Sequence, residues 1–311
     1  MSVPLVSIVI ATYRSRHDHL RVAIASALAQ SMADIEVLVS DDSPDDALSE
    51  LVAGFHDERL RYRHNAPALG VARNHWVSFG EARGEFIVIL NHDDLLESRS
   101  VEVLMQALRA EPQAVLAFGD HWIIDADGQR MLADTDRNTQ SWGRSELAAG
   151  LHQPFWGPVV RQSIPMAMGA MFRRSALTVE CPPSAGPAYD LWLTYLLARS
   201  GAGAVYVPER LSAWRTHAGN LTSQGGLDWL IGTATCWQAM AADPAAAAIA
   251  PIARRQAARW FYVCARQALR SGHTAVARQQ ARLSWQQRPS VRGAVAWLLA
   301  NWPFWPAHAG A

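Results

Sequence analysis

The chain has 311 residues, half of them apolar and 18% charged, which is globular composition and excludes global disorder. Its length fits one large domain or a domain with an appendage. No apolar run reaches the ~18 residues a spanning helix needs, and the opening MSVPLVSIVIATYR has no basic leader followed by a small-residue cleavage site, so neither a membrane span nor a secretory signal is expected.

Residues 6–10 (VSIVI) form a β-branched run suited to a strand buried on both faces. A helical stripe follows over 20–30, then a strand at 35–39, a helix over 44–54 with Pro44 in its first turn, and a short strand at 60–63. The pattern continues with a helix over 69–80, a buried strand at 86–90, a helix over 98–110 and a strand at 115–118. Repeated strand–helix–strand units predict a parallel sheet with right-handed crossovers. Beyond it, Trp122–Ile124, the turn at 125–128 and Arg130–Leu132 predict a hairpin. A loop-rich stretch from 143 to 188 carries one more strand at 167–172, followed by a helix over 190–200 and a strand at 204–207. From Asp228 onward only helices are expected, with 259–271 and 274–287 paired as a hairpin.

In open α/β sheets, ligands bind at the carboxyl ends of the strands. Thr12, Tyr13 and Arg14 follow the first strand, Asp41 and Asp42 the second, Asn91, His92, Asp93 and Asp94 the strand at 86–90, and Asp120 the strand at 115–118. Carboxylates gathered in one cleft repel one another unless a cation sits among them. Mg²⁺ or Mn²⁺ holding a diphosphate is the natural candidate. The competing reading is that Asp41–Asp42 and Asp93–Asp94 are helix caps. No GxGxxG and no GxxxxGK[ST] is present, which argues against a dinucleotide dehydrogenase and a P-loop NTPase.

The strings VSIVIATYR, VLVSDDSPD and LGVARNHWVSFGEARGEFIVILNHDD, in this order and on these strands, resemble the successive signatures of family 2 glycosyltransferases. AYDLWLTYLLAR and VPERLSAWRTHAGNLTS extend the resemblance to about residue 223. It implies the A-type glycosyltransferase fold: a mostly parallel nucleotide-binding sheet flanked by helices, with a C-terminal helical appendage. The implied division is a transferase domain over 1–225, with a nucleotide-binding half (1–120) and an acceptor-side half (121–225), then a helical region over 226–311. The implied reaction is inverting transfer of a sugar from a UDP-type donor to a saccharide or lipid-linked acceptor in surface polysaccharide assembly, in the cytoplasm or at the inner membrane face. The resemblance also implies roles for particular positions. Thr12 and Tyr13, with Arg14 beside them, cradle the base. Asp42 and Asp41 accept its N–H, and Arg73 lies near the ribose or diphosphate. Asp94 with Asp93 occupies the metal motif, and Arg215 and His217 meet the diphosphate or its Mn²⁺ or Mg²⁺.

Three departures stand out. Ala11 and Arg14 replace the usual Pro and Asn, Asn91 replaces the leading acid of the metal motif, and Pro187 and Ala188 occupy the positions of the catalytic acidic pair. Asp190 is then the first candidate for the base, Glu180 a weaker one, and a helix cap the plain alternative for Asp190. A nucleotide-sugar-binding relative without turnover, acting in an assembly complex, is the rival function.

The zero net charge hides an asymmetry. All 28 basic residues are arginine, and nine of them follow Asp243, after which there is no acid. Seven of the 13 tryptophans lie between Trp229 and Trp305. A basic, Trp-rich tail suits either a solvated helical face or attraction to anionic lipid. Peripheral membrane contact is the expectation adopted, and nucleic acid is not an expected partner. The scattered, odd-numbered Cys181, Cys236 and Cys264 give neither a metal spacing nor a disulfide framework, which fits a reducing compartment.

Overall fold

The computed structural model describes residues 3–217 and 226–290, together with 294, 295, 297, 298 and 301. The chain divides into two compact units, one of Met1–Cys181 and Leu196–Ala218, the other of Pro182–Tyr195 and Gly219–Ala311.

The first unit is built on one mixed sheet. Strands β1 (Val6–Thr12), β2 (Ile35–Asp41), β3 (Leu60–His64) and β4 (Phe86–Leu90) run parallel in the order β3-β2-β1-β4. The connecting helices are α1 (His17–Leu28), α2 (Leu48–Ala53) and α3 (Val71–Glu81). The central strands are apolar and β-branched on both faces because helices cover both, and Ile8, Val37 and Val88 are fully buried. The parallel run aligns the carboxyl ends of β1, β2 and β4 on one edge. Asp42 N–H donates to the Thr12 carbonyl at 2.9 Å and ties two of those ends together.

The rest of the sheet is reached through the short β5 (Leu95–Leu96), helix α4 (Ser100–Ala110) and β6 (Ala114–Ile124). Strand β7 (Gly150–His152), helix α6 (Trp156–Arg161) and strand β8 (Met168–Arg173) follow, and the long β9 (Gly203–Arg215) closes the sheet. β8 is inserted antiparallel between β4 and β6, and β9 lies parallel to β6. The expected hairpin is reduced to a single bridge between Ile124 and Arg130, after which the chain turns into helix α5 (Leu132–Ser141). The expected strand at 204–207 is the opening of the thirteen-residue β9, which passes through Pro208 with register shifts opposite 119–121. Pro208 and Glu209 interrupt the apolar pattern, yet a bulged strand tolerates them where its outer side is solvated.

The second unit is helical. It contains α8 (Leu227–Ala242), α9 (Ala250–Arg270) and α10 (Thr274–Gln287), and helix α7 (Tyr189–Ala198) begins in it. The segment before α7 packs so closely on α8 that a Cβ on Gly232 would lie 2.8 Å from the Ala185 carbonyl. Trp192 Nε1 donates to the Gly232 carbonyl at 3.2 Å, and Tyr195 hydroxyl to Asp243 at 2.7 Å. α9 and α10 form the expected antiparallel pair, with Ser284 Oγ donating to the Ala258 carbonyl at 2.8 Å. Among the described residues no helix is long and apolar enough to cross a membrane.

Candidate active site

The carboxyl edge of β1, β2 and β4 receives the end of β9, and there the first unit concentrates its buried acids and imidazoles. At the end of β4, His217 Nε2 lies 3.0 Å from Asp93 Oδ2. Asp94, next in sequence, is buried, accepting the Arg215 backbone N–H at 2.8 Å and the Asn91 amide at 3.0 Å. Burial and the neighbouring Asp93 charge push the Asp94 carboxyl well above the usual range, against the pull of those donors. Asp94 thus has the character of a buried, protonatable group, whereas Asp93 and His217 are the pair at the rim.

Arg215 is buried too. Its Nε donates to the Asp93 carbonyl at 2.9 Å, and its Nη1 to the Ala126 and Asp125 carbonyls at 3.0 and 3.3 Å. These bonds clamp the metal-motif turn to the turn at 125–128, so Arg215 supports the shape of the edge. The resemblance implies a place for it at the diphosphate; in the structure its Nε and Nη1 donate to backbone carbonyls.

Opposite stand the acids of β2. Asp41 is fully buried and accepts the Ser43 N–H and the Tyr62 hydroxyl, each at 2.8 Å. Asp42 accepts the Asn65 amide at 2.9 Å and the Leu69 N–H at 3.1 Å on Oδ1, and the Gly70 N–H at 2.8 Å on Oδ2. A carboxylate oxygen has two acceptor positions, so Oδ2 of Asp42 keeps one. At the end of β1, Tyr13 is 52% exposed with the Arg14 guanidinium 5.3 Å from its ring centre. Arg14 has φ 48° and donates its N–H to Ser43 Oγ at 2.9 Å, a left-handed conformation that costs a non-glycine residue something and is held by this bond. Thr12 and Ser15 share a hydroxyl–hydroxyl bond beneath it. Arg73 is exposed on α3, and its charge lowers the Cys181 thiol that burial raises.

Two histidines, His19 and His75, escaped the sequence reading, and His92 was noted there only as following the strand at 86–90. His19 on α1 has its ring 5.4 Å from that of His217. His92 is pushed down by burial while the charges of Asp93 and Asp41 pull it up. His75 on α3 holds the Val71 carbonyl through Nδ1 at 2.7 Å, and burial lowers it to about 4. Neutral imidazoles therefore line the acidic edge. Nothing in their spacing marked them, since a helix signals its apolar stripe and not which polar residue points at a strand end.

Among the described residues no group of three or more His, Cys, Asp and Glu is arranged to hold a metal ion. Asp93 and His217 are two side chains at this edge that could ligate a cation; Mg²⁺ or Mn²⁺ held through a carboxylate takes phosphate oxygens and water for the rest of its shell.

Asp190 belongs to the second unit, at the start of α7. Its Oδ1 accepts the Leu191 N–H at 2.8 Å, a cap-like bond, and burial raises its carboxyl above the ordinary range. Pro187 and Ala188 precede it in a short 3₁₀ turn. Glu180 lies in the first unit.

A parallel half-sheet with acids at its carboxyl edge is the place where open α/β proteins bind ligands, and comparison with known proteins gives the family. The model of Glycosyl transferase family 2 matches residues 7–177, more than half of the chain, and the chain belongs to that family. It is 35% identical over 140 residues to the succinoglycan biosynthesis protein ExoO of Rhizobium meliloti, covering 43% of this chain and 38% of that protein. It is 33% identical over 131 residues to an uncharacterized glycosyltransferase of Rickettsia felis, covering 41% of this chain but 21% of that one. It is 30% identical over 121 residues to the Escherichia coli UDP-Glc:alpha-D-GlcNAc-diphosphoundecaprenol beta-1,3-glucosyltransferase WfgD, covering 39% of this chain and 47% of that enzyme. The chain thus spans less than half of the length of each of these relatives. Among solved structures, residues 1–349 of Staphylococcus aureus TarS in complex with UDP-GlcNAc superpose with a TM-score of 0.63 at 13% identity, over 95% of this chain and 79% of that one. This likeness is one of fold, the A-type arrangement.

Proposed function

We propose that the chain is an inverting glycosyltransferase that moves a sugar from a UDP-type donor to a saccharide or lipid-linked acceptor in surface polysaccharide assembly, working at the cytoplasmic face of a membrane. The observation that carries the reading is the Asp93–His217 pair at the end of β4, 3.0 Å apart and facing the acids of β2 on one sheet edge. Support for the donor class and pathway comes from the relatives: WfgD is named for UDP-Glc and a diphosphoundecaprenol acceptor, ExoO for succinoglycan, and TarS was solved with UDP-GlcNAc.

In this reading the spare acceptor position of Asp42 Oδ2 takes the base N–H, Tyr13 and Arg14 frame the base, and Arg73 lies toward the ribose or diphosphate. Asp93 and His217 hold Mn²⁺ or Mg²⁺, with Asp94 behind them and Arg215 fixing the turn. The cation supplies charge neutralisation for the departing diphosphate. The acceptor oxygen bonds to the anomeric carbon as the bond to the phosphate oxygen breaks, UDP leaves, and the hydroxyl proton passes to a carboxylate base, a role for which the sequence offers Asp190 first. A carboxyl raised by burial is better matched to that task at neutral pH than an ordinary one.

The replacement of the usual acidic pair by Pro187 and Ala188 favours a second reading, a donor-binding relative without turnover. Incubation with a panel of UDP-sugars, Mn²⁺ and a crude lipid-linked acceptor fraction separates the two. Acceptor-dependent UDP release supports the transferase, and binding without release supports the second reading.

A further inference from the structure

The helical unit carries a surface whose composition is unlike that of the sheet unit. In the first unit, surface arginines meet acids, as Arg63 meets Glu81 and Arg137 meets Asp134. Helices α9 and α10 contain no acidic residue at all, and none follows them.

Four of the five arginines of α9 fall along one side of it. Arg255, Arg259, Arg266 and Arg270 are all exposed. At ~100° per residue their positions i, i+4, i+11 and i+15 fall within an arc of about 60°. The opposite side of the helix, with Ala257, Phe261, Cys264 and Ala268, is buried. One straight helix therefore presents a file of four guanidinium groups along its outer face. Four like charges in a file repel one another in solution, and nothing of opposite sign on the helical pair offsets them.

α10 adds an independent feature. Arg278, Arg282 and Trp285 stand at i, i+4 and i+7, on one side of the helix, and Trp285 is 45% exposed. A large indole left in water beside two arginines is the residue pairing found where protein meets the headgroup layer, the ring lying among acyl chains and the cations among phosphates. Trp297 and Leu298, in the next described segment, are 48% and 57% exposed; the remainder of the apolar end, up to Trp305, lies outside the described residues.

We infer that the α9–α10 hairpin is the docking face of this protein for an anionic phospholipid membrane, with the α9 arginine file binding headgroup phosphates and Trp285 entering the interface. Charge complementarity selects a polyanionic partner, and the exposed tryptophan selects a bilayer among these, since an indole settles at the boundary between headgroups and acyl chains. This deepens the membrane-face location in the proposed function, on which it rests, and is independent of the donor chemistry.

The test uses the full chain and co-sedimentation with vesicles. Wild type binds vesicles of phosphatidylglycerol and phosphatidylcholine in equal parts, binds pure phosphatidylcholine far more weakly, and is released by about 0.5 M NaCl, at which charge attraction is screened within a few ångströms. Substituting Arg255, Arg259, Arg266 and Arg270 together by Gln lowers partitioning about 100-fold or more. The fourfold Lys variant retains binding. Trp285→Ala, which changes no charge, lowers it about tenfold. Thermal unfolding of each variant checks folding, and the Lys variant together with the salt titration keeps the inference testable should the Gln variant misfold. UDP titration is unchanged in every variant, so failure here and failure of the donor-site reading are separable. Equal binding to both vesicle types, equal binding by the Gln variant, or tighter binding to a single-stranded oligonucleotide than to the anionic vesicles overturns the assignment.

Discussion

His217 Nε2 sits 3.0 Å from Asp93 Oδ2 although 124 positions separate them in the chain. The contact joins the end of β9 to the end of β4, and Arg215 backs the Asp93 side: its Nε donates to the Asp93 carbonyl and its own N–H to Asp94. In the proposed reading, such backing would hold the pair in place for a cation. Asp93→Ala and His217→Ala should each weaken Mn²⁺-dependent UDP binding by about 10–100-fold, with metal-free UDP binding little altered. Isothermal titration with and without Mn²⁺ reads both, and an unchanged Mn²⁺ response in both variants removes the pair as the cation site.

Asp42 combines two burdens. Its carboxylate satisfies the Leu69 and Gly70 N–H groups and the Asn65 amide; Asp42 and Asn65 are buried, Leu69 is half-buried and Gly70 exposed. Asp42→Ala removes this shared acceptor, and with one buried donor among the three a loss of about 1–3 kcal/mol in urea unfolding is expected. UDP affinity should fall in the same variant, measured below its unfolding transition. Tyr13→Ala is the control: exposed, it should reduce UDP affinity with stability changed by less than about 0.5 kcal/mol.

The strands that position this edge were legible in the sequence because β1, β2 and β4 are buried on both faces and therefore written as mostly apolar runs, broken only by Ser7 in β1 and Glu36 in β2 before their carboxyl ends. Helix α5 was not. Its sequence, LADTDRNTQS, buries only Thr135, so no apolar stripe announces it, and the residues before it suggested a second hairpin strand. β9 was half legible: Gly203–Val207 shows, but the continuation past Pro208 to Arg215 depends on pairing with β6, a long-range contact without local signature. The acids were found because they follow strands. Their division of labour was not, since whether Asp94 or Asp93 is buried follows from where Arg215 lands, and His19 and His75 enter from helices. The separation of Asp190 into the helical unit is a matter of tertiary clustering that no motif records.

Arg144 anchors the segment between the two halves of the sheet. It is almost fully buried, donates to Asp120 at 2.6 Å and to Asn138 at 2.6 Å, and Asp120 also accepts the Tyr206 hydroxyl at 3.0 Å. Burial lowers the Arg144 pKa and the Asp120 charge raises it again, so the pair is held together as ions by one another. Removing one partner strands the other. Arg144→Met should destabilise the protein by about 3–5 kcal/mol in denaturant unfolding. The double variant Arg144→Met, Asp120→Asn should recover part of that loss. If the double variant is no more stable than Arg144→Met, the ion pair is not the source of the cost.

Asp190 supports two accounts, a catalytic base and a helix cap, that share a stability effect and differ in turnover. Burial raises its carboxyl pKa in the folded protein above the unfolded value, with the Leu191 N–H pulling the other way. A group with a raised folded pKa favours folding when protonated; its contribution is fully present below the unfolded pKa and is lost as the pH climbs through the folded one. At about pH 7 the ionised Asp190 therefore costs stability, a cost that an active-site carboxylate carries for its function. Asp190→Asn removes the charge while keeping an oxygen for the Leu191 N–H. Unfolding free energy should thus rise near pH 7 and change little near pH 4, and the gain should vanish along that interval. If Asp190 is the base, the same substitution lowers turnover by about 10²–10⁴-fold at unchanged UDP-sugar affinity, and the acid limb of the wild-type rate profile lies above the usual carboxylate range. A cap alone predicts the stability change with turnover intact, so turnover at the wild-type rate in Asp190→Asn would assign proton acceptance to another group.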